Sequence, residues 1–104
     1  MGEAQSVNLG KVESVPMGQG FCFIVRGVEI AVFRQRDGRL FATQNRCPHK
    51  SGPLSEGLIG AGTVICPFHA RKYDLCTGKG PAPDDCLRTY PVREVNGEIH
   101  LSLS

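Results

Sequence analysis

Two short stretches restrict this chain more than anything else in it: Cys47-Pro48-His49 and Cys66-Pro67-Phe68-His69. Each offers one thiolate and one imidazole, and in each a proline follows the cysteine and stiffens the backbone that carries the pair. Residues 50 to 65 separate His49 from Cys66, enough for a turn, a short strand and a return. So little chain cannot bury a core of its own. It needs something besides apolar packing to hold it, and a metal centre would serve.

The surroundings read as strands. The chain has 104 residues, room for one domain and one modest core. Its 13 glycines and 7 prolines suit short strands joined by tight turns better than a helical bundle. Phe21, Phe23 and Val25 alternate with Cys22, Ile24 and Arg26; Ile30, Val32 and Arg34 follow a turn at Gly27. Asp37-Gly38 predicts a hairpin between Val32-Phe33 and Leu40-Phe41, and Asn96-Gly97 joins Tyr90, Val92 and Val95 to Ile99, Leu101 and Leu103 in a second. No apolar period of 3.6 residues persists for three turns. Residues 43 to 86 differ: they hold four of the five cysteines and two of the three histidines, and read as an insertion in an all-β domain. Within it, Gly62-Thr63-Val64-Ile65 and Arg71-Lys72-Tyr73-Asp74-Leu75 are strand-like, linked by turns at Ser55-Glu56-Gly57 and Gly60-Ala61-Gly62.

Two metals could use two cysteines and two histidines: tetrahedral zinc, or a [2Fe-2S] cluster with both cysteines on one iron and both histidines on the other. A zinc finger sets its cysteines together and its histidines 3 to 5 residues apart, usually on a helix. Here each finger mixes the two types, which favours iron–sulfur, with the cysteines meeting on the inner side and the histidines at the tips. Buried cysteines and satisfied histidines without metal remain the plain alternative.

The segments Cys47-Pro48-His49-Lys50-Ser51-Gly52-Pro53-Leu54 and Cys66-Pro67-Phe68-His69-Ala70-Arg71-Lys72-Tyr73-Asp74-Leu75 resemble the two cluster-binding loops of Rieske proteins. The likeness extends over essentially the whole chain. Leu54-Ser55-Glu56-Gly57, Thr77-Gly78, and Pro81-Ala82-Pro83-Asp84 ahead of Arg88-Thr89-Tyr90-Pro91-Val92 are most similar to the small subunit of assimilatory NAD(P)H-dependent nitrite reductase. The Rieske-type ferredoxin of aromatic-ring dioxygenases is a near relative. The resemblance implies an all-β, Rieske-type iron–sulfur fold of antiparallel sheets, one domain over 1–104 with a cluster-binding subdomain inserted at about 43–86, and one [2Fe-2S] cluster per chain. Cys47 and Cys66 would ligate the buried iron, and His49 and His69 the outer, solvent-facing iron. Neutral imidazoles in place of two thiolates remove negative charge and make such a centre easier to reduce. They also place titratable N–H groups at the exposed edge.

Other positions take expectations from the same likeness. High-potential members carry an extra cysteine in each loop, joined as a disulfide; Phe68 and Lys50-Ser51-Gly52 stand there instead. Arg71 replaces a potential-raising serine, whereas a tyrosine is kept as Tyr73, whose hydroxyl could donate to a cysteine ligand or could simply pack in its strand. A low-potential centre is expected. Gly78, Gly80, Pro81 and Pro83 look like a third loop that covers the cluster, with an ordinary sheet connection as the alternative. Lys50, Arg71, Lys72 and Lys79 form either a mildly basic docking rim or a solvated face.

The function expected is electron transfer as the small subunit of a nitrite reductase, with a large catalytic subunit as partner. The alternative is a Rieske-type ferredoxin between a reductase and a ring-hydroxylating or other oxygenase, and a zinc-stapled or metal-free adaptor is a third class. No paired carboxylates, phosphate loop or nucleophile triad suggests catalysis by this chain alone. A formal charge of +2 without a basic run excludes an electrostatic case for nucleic acid. No stretch approaches the ~18 apolar residues of a membrane span. MGEAQSVNLGKVESV shows no apolar signal segment, so a cytoplasmic location is expected, and Gly2-Glu3-Ala4-Gln5-Ser6 fits a myristoylation pattern only weakly. Of the remaining cysteines, Cys22 reads as a small core residue, while Cys76 and Cys86 flank the proline loop, where a pair is conceivable but the expected compartment argues against a standing disulfide.

Overall fold

In the strand Val28–Arg34 four consecutive residues, Ile30, Ala31, Val32 and Phe33, are all fully buried. A strand buried along such a run lies between two layers, not at the edge of one. The computed structural model describes residues 6–48, 52–67, 71–82 and 85–103. Residues 2–5 of the myristoylation pattern, together with His49, Lys50, Phe68, His69, Pro83 and Asp84, lie outside the described residues.

Among the described residues ten strands follow in chain order: β1 (Ser6–Lys11), β2 (Gln19–Val25), β3 (Val28–Arg34), β4 (Leu40–Gln44), β5 (Leu58–Gly60), β6 (Thr63–Ile65), β7 (Lys72–Asp74), β8 (Thr89–Tyr90), β9 (Val92–Val95) and β10 (Glu98–Ser102). They form antiparallel sheets of order β1-β10-β9, β2-β3-β4-β8 and β5-β6-β7. Among the described residues the only helical pieces are two 3-10 turns, Val12–Ser14 and Leu54–Glu56. The expected all-β, antiparallel class is the one found.

The four-stranded sheet is the partition. Ile30 and Val32 point to one side and join Val12, Val15, Val25, Ala42, Ile99 and Leu101 in a core with the β1-β10-β9 sheet. Ala31 and Phe33 point to the other and pack with Cys47, Leu54, Val64, Cys66, Tyr73, Leu75 and Leu87. The second core therefore belongs to the cysteine-bearing segment and borrows its floor from β3.

Local turn chemistry sets the hairpins. Arg26-Gly27, Ala61-Gly62 and Asn96-Gly97 each take positive φ at both positions, as a two-residue turn matched to strand twist requires. At Asp37-Gly38 only Gly38 does so; Asp37 instead accepts from the Arg39 N–H at 3.0 Å and braces a longer turn. Tyr90 departs from its expected place. Pro91 ends its strand, and Tyr90 pairs with Ala42 of β4 while Val92 pairs with Leu101 of β10. The chain thus changes sheets at a residue that cannot donate a backbone hydrogen bond. Cys22 is another correction: it lies half-buried on the outermost strand, β2, not in either core. Two strands had no counterpart in the sequence reading, β1, which pairs with β10, and β5, which edges the small sheet.

Gly57 and Gly60 sit three residues apart in contrasting surroundings. A Cβ on Gly57 would fall 2.2 Å from the Ile65 carbonyl oxygen, whereas nothing lies within 4 Å of one on Gly60. Gly57→Ala is expected to destabilise the fold by about 2 kcal/mol or more, and Gly60→Ala to stay within about 0.5 kcal/mol of the parent. Urea unfolding of the two variants checks this; equal midpoints would contradict it.

Candidate metal centre

Both cysteine loops are closed by the same backbone hydrogen bond. Beyond β4, an isolated bridge pairs Arg46 with Pro53, and the Cys47 N–H donates to the Gly52 carbonyl at 2.9 Å. At the end of the β6-β7 hairpin, Ile65 pairs with Lys72, and the Cys66 N–H donates to the Arg71 carbonyl at 2.7 Å. In each case residue i donates to residue i+5, so the cysteine stands at the base of a four-residue loop. Both cysteines are buried, each 1% exposed, and both belong to the same apolar cluster. Pro48 and Pro67, one residue on, are exposed. The loops therefore leave the core at matching points.

Packing fixes the first loop from below. Asn45, buried at its base, donates through its side-chain amide to Glu29 at 2.9 Å and accepts from the Ser55 N–H at 3.0 Å. Its carbonyl accepts from the Leu54 N–H at 2.6 Å. A buried amide satisfied on both sides is a rigid pin, and its loss would leave polar groups without partners. The sequence reading passed over Asn45, although an asparagine two residues before Cys47 at a strand end was the available signal.

The Tyr73 side chain is fully buried, and its hydroxyl lies 3.2 Å from Cys47 Sγ. Burial, and then the hydrogen bond to Cys47, push the Tyr73 phenol above its ordinary range. Tyr73 packs in its strand and its hydroxyl reaches the Cys47 sulfur; opposite a thiolate the O–H would be the donor.

A third loop stands beside these two. The Leu87 N–H donates to the Gly78 carbonyl, Lys79 pairs with Cys86, and the Gly80 N–H donates to the Asp85 carbonyl at 2.8 Å, again five residues on. Gly78 is needed here: its φ is 82°, and a Cβ would meet the Leu87 carbonyl oxygen at 2.2 Å. Asp74 braces the approach, accepting backbone hydrogens from Thr77 and Cys76, which hold its carboxyl below the usual carboxylate range. Pro81 is exposed at the loop tip.

Arg71 changes the expected basic rim. Its guanidinium is paired with Asp85 of the third loop and is not free to meet a partner, whereas Lys72 and Lys79 are exposed. Cys76 and Cys86 are exposed thiols. Among the described residues no group of three or more His, Cys, Asp or Glu converges; His49 and His69, the expected imidazole donors, and Phe68 lie outside them. A surface depression of about 360 Å3 lined by Pro91, Arg93 and His100 sits on the β1-β10-β9 side and contains neither buried cysteine.

The donor chemistry fits an iron–sulfur cluster. Two buried sulfurs at the bases of like-built loops, one facing the Tyr73 hydroxyl, would as thiolates supply the anionic ligands that a cationic iron–sulfur core requires, within an apolar wall. A cluster in that position supplies reversible one-electron transfer when bound.

The chain matches the Rieske [2Fe-2S] domain family over residues 5–91. It is 33% identical over 95 residues to the ferredoxin component of the naphthalene 1,2-dioxygenase/salicylate 5-hydroxylase systems of a Ralstonia species, covering 88% of this chain and 89% of that protein. It is 40% identical over 86 residues to a 4beta-methylsterol monooxygenase from Methylococcus capsulatus, matching 72% of this chain but spanning only 23% of that much longer protein. Among solved structures, the ferredoxin of carbazole 1,9a-dioxygenase from Nocardioides aromaticivorans superposes with a TM-score of 0.84 at 27% identity, over 97% of this chain and all of that one. A structure described provisionally as the NADH-dependent nitrite reductase small subunit of Mycobacterium tuberculosis gives a TM-score of 0.90 over 98% and 97% of the two chains, but at 22% identity it speaks for the fold alone. The chain belongs to the Rieske [2Fe-2S] domain family, an all-β electron-transfer domain of the ferredoxin type that carries a Rieske cluster.

Proposed function

We propose that this protein carries electrons from a reductase to an oxygenase, through a [2Fe-2S] cluster held by Cys47 and Cys66 on one iron and by His49 and His69 on the other. The observation that carries the reading is the paired construction of the two loops, each with a buried cysteine at its base and the same backbone closure. Residues 1–104 then act as one domain, with the segment of about 43–86 carrying the cluster on the floor that β3 provides.

The choice of partner rests on the curated relatives. A relative matched over nearly its whole length is the ferredoxin component of a ring-hydroxylating dioxygenase system, which favours the oxygenase ferredoxin over the nitrite reductase subunit that the motif resemblance put first. No helix among the described residues is long and apolar enough to cross a membrane. A cytoplasmic location, beside the pyridine nucleotide that would feed a reductase, completes the reading.

Tyr73 tunes the centre. A hydrogen bond to a ligand sulfur stabilises the more negative, reduced state more than the oxidised one. Phe68 and Arg71 stand where the family resemblance puts a disulfide cysteine and a serine in higher-potential members, and the Tyr73 phenol is a donor of this kind that the chain keeps.

Reduced protein should give the low average g value of a Rieske centre in its EPR spectrum. His49→Cys or His69→Cys should abolish that signal; an unchanged spectrum from both variants would overturn the ligand set, as would colourless protein containing stoichiometric zinc. Tyr73→Phe is expected to lower the midpoint potential, where a differential of about 1.4 kcal/mol between redox states equals about 59 mV for one electron. Film voltammetry reads this, and an unchanged or raised value contradicts the role. Stopped-flow mixing of the reduced protein with a ring-hydroxylating oxygenase should reoxidise it. Reoxidation by a sirohaem nitrite reductase and not by the oxygenase would return the partner assignment to nitrite reductase.

A further inference from the structure

The third loop contributes none of the expected cluster ligands, yet it is fastened to both loops that do. Gly80 lies on the Tyr73 ring: a Cβ there would come within 2.7 Å of Cε1 and 2.9 Å of Cδ1, and within 2.6 Å of the Asp85 Cβ. Tyr73 in turn reaches Cys47 Sγ. On the other side the Asp85 carboxylate accepts from the Arg71 guanidinium, while the Arg71 carbonyl accepts from the Cys66 N–H. Arg71 thus closes the second loop with its backbone and grips the third with its side chain.

The setting of this ion pair distinguishes it from ordinary surface pairs. The Arg71 and Asp85 side chains are 28% and 16% exposed, against 64% and 49% for Arg39 and Asp37 on the β3-β4 hairpin. Water and salt screen the exposed pair strongly and the sheltered one much less. The tip is exposed at Pro81 and Ala82. Backbone bonds close the segment on itself and on β7, from Leu87 N–H to Gly78, Gly80 N–H to Asp85, Asp85 N–H to Ala82 and Asp74 N–H to Lys79, and the Arg71–Asp85 pair ties it to the second cysteine loop.

We propose that Arg71 and Asp85 form a latch that holds the third loop down on Tyr73 and thereby keeps the Tyr73 hydroxyl on Cys47 Sγ. Both are positioning residues, placed to act through the tyrosine. Without the latch Gly80 can lift from the ring, Tyr73 gains room to move, and the wall over the two cysteines opens to water. The consequence for the cluster rests on the proposed ligand set; the restraint of the loop does not.

The test has one arm for each half. Amide hydrogen exchange on the purified protein reads the loop directly. Asp85→Asn and Arg71→Gln should raise exchange at the Gly80 and Leu87 N–H groups at least fivefold, Arg71→Lys should largely restore protection, and Arg39→Gln should change neither site. Unaltered exchange in Asp85→Asn and Arg71→Gln overturns the latch, whether or not the protein holds iron. For the second arm, bleaching of the cluster absorbance by an iron chelator should speed up about fivefold in Asp85→Asn, and its midpoint potential should fall. In a Tyr73→Phe background the same substitution should move the potential little. Equal potential shifts in the two backgrounds overturn the route through Tyr73. A protein that binds no cluster refutes the ligand set, and the exchange arm still decides the latch.

Discussion

Everything in this molecule leans on a strand that has no solvent face through its middle. Ile30 to Phe33 are shared by two cores, each too small to stand alone in a chain of this length. One side of β3 closes a β-sandwich with the C-terminal hairpin and β1. The other supplies the floor on which two cysteine loops rest. Glycine at position 20 preserves that second contact, since a Cβ there would strike the Phe33 ring at 2.7 Å and the Ser55 carbonyl oxygen at 2.9 Å. The site is therefore not appended to the sandwich but packed against its central strand. Rigidity in the sandwich passes to the loops through Ala31, Phe33 and the Asn45 pin.

On that floor the chain uses one device three times. A backbone N–H donates to the carbonyl five residues on at Cys47, at Cys66 and at Gly80, so each loop is closed at its base by the main chain. The first two closures set a sulfur at the base. The third sets a glycine against Tyr73. Tyr73 and Arg71, two residues apart around β7, join the three loops to one another. A cluster held at two cysteines experiences its surroundings through such contacts, because polarity and hydrogen bonding at the sulfurs shift the balance between redox states.

The parts of this arrangement that were legible in the sequence are those set by local chemistry. Gly27, Asn96-Gly97 and the Gly60-Ala61-Gly62 connection announce turns because positive φ is cheap for glycine and asparagine. The alternation of Ile99 and Leu101 announces a strand with one buried face. The fingers at Cys47 and Cys66 could be found because their residue types are rare together. Other features depend on where distant segments meet. Tyr90 was drawn to the wrong hairpin because its pattern continues across Pro91 and only the proline's missing donor separates the sheets. Cys22 looks like core because its neighbours are apolar, but its strand is an edge. β5 is three residues long and ends in glycine, too short for a periodic signal. Arg71 and Asp85 lie fourteen positions apart, across β7 and the third loop, and no spacing rule links such positions.

The central claim is that two imidazoles and two thiolates share the cluster, with the sulfurs inside. Pulsed EPR on the reduced protein, with histidine nitrogen isotopically labelled, tests it most directly. The account predicts strong coupling of the unpaired electron to two histidine nitrogens, one of them lost in His49→Cys and the other in His69→Cys. A reduced cluster with no coupled histidine nitrogen would contradict it.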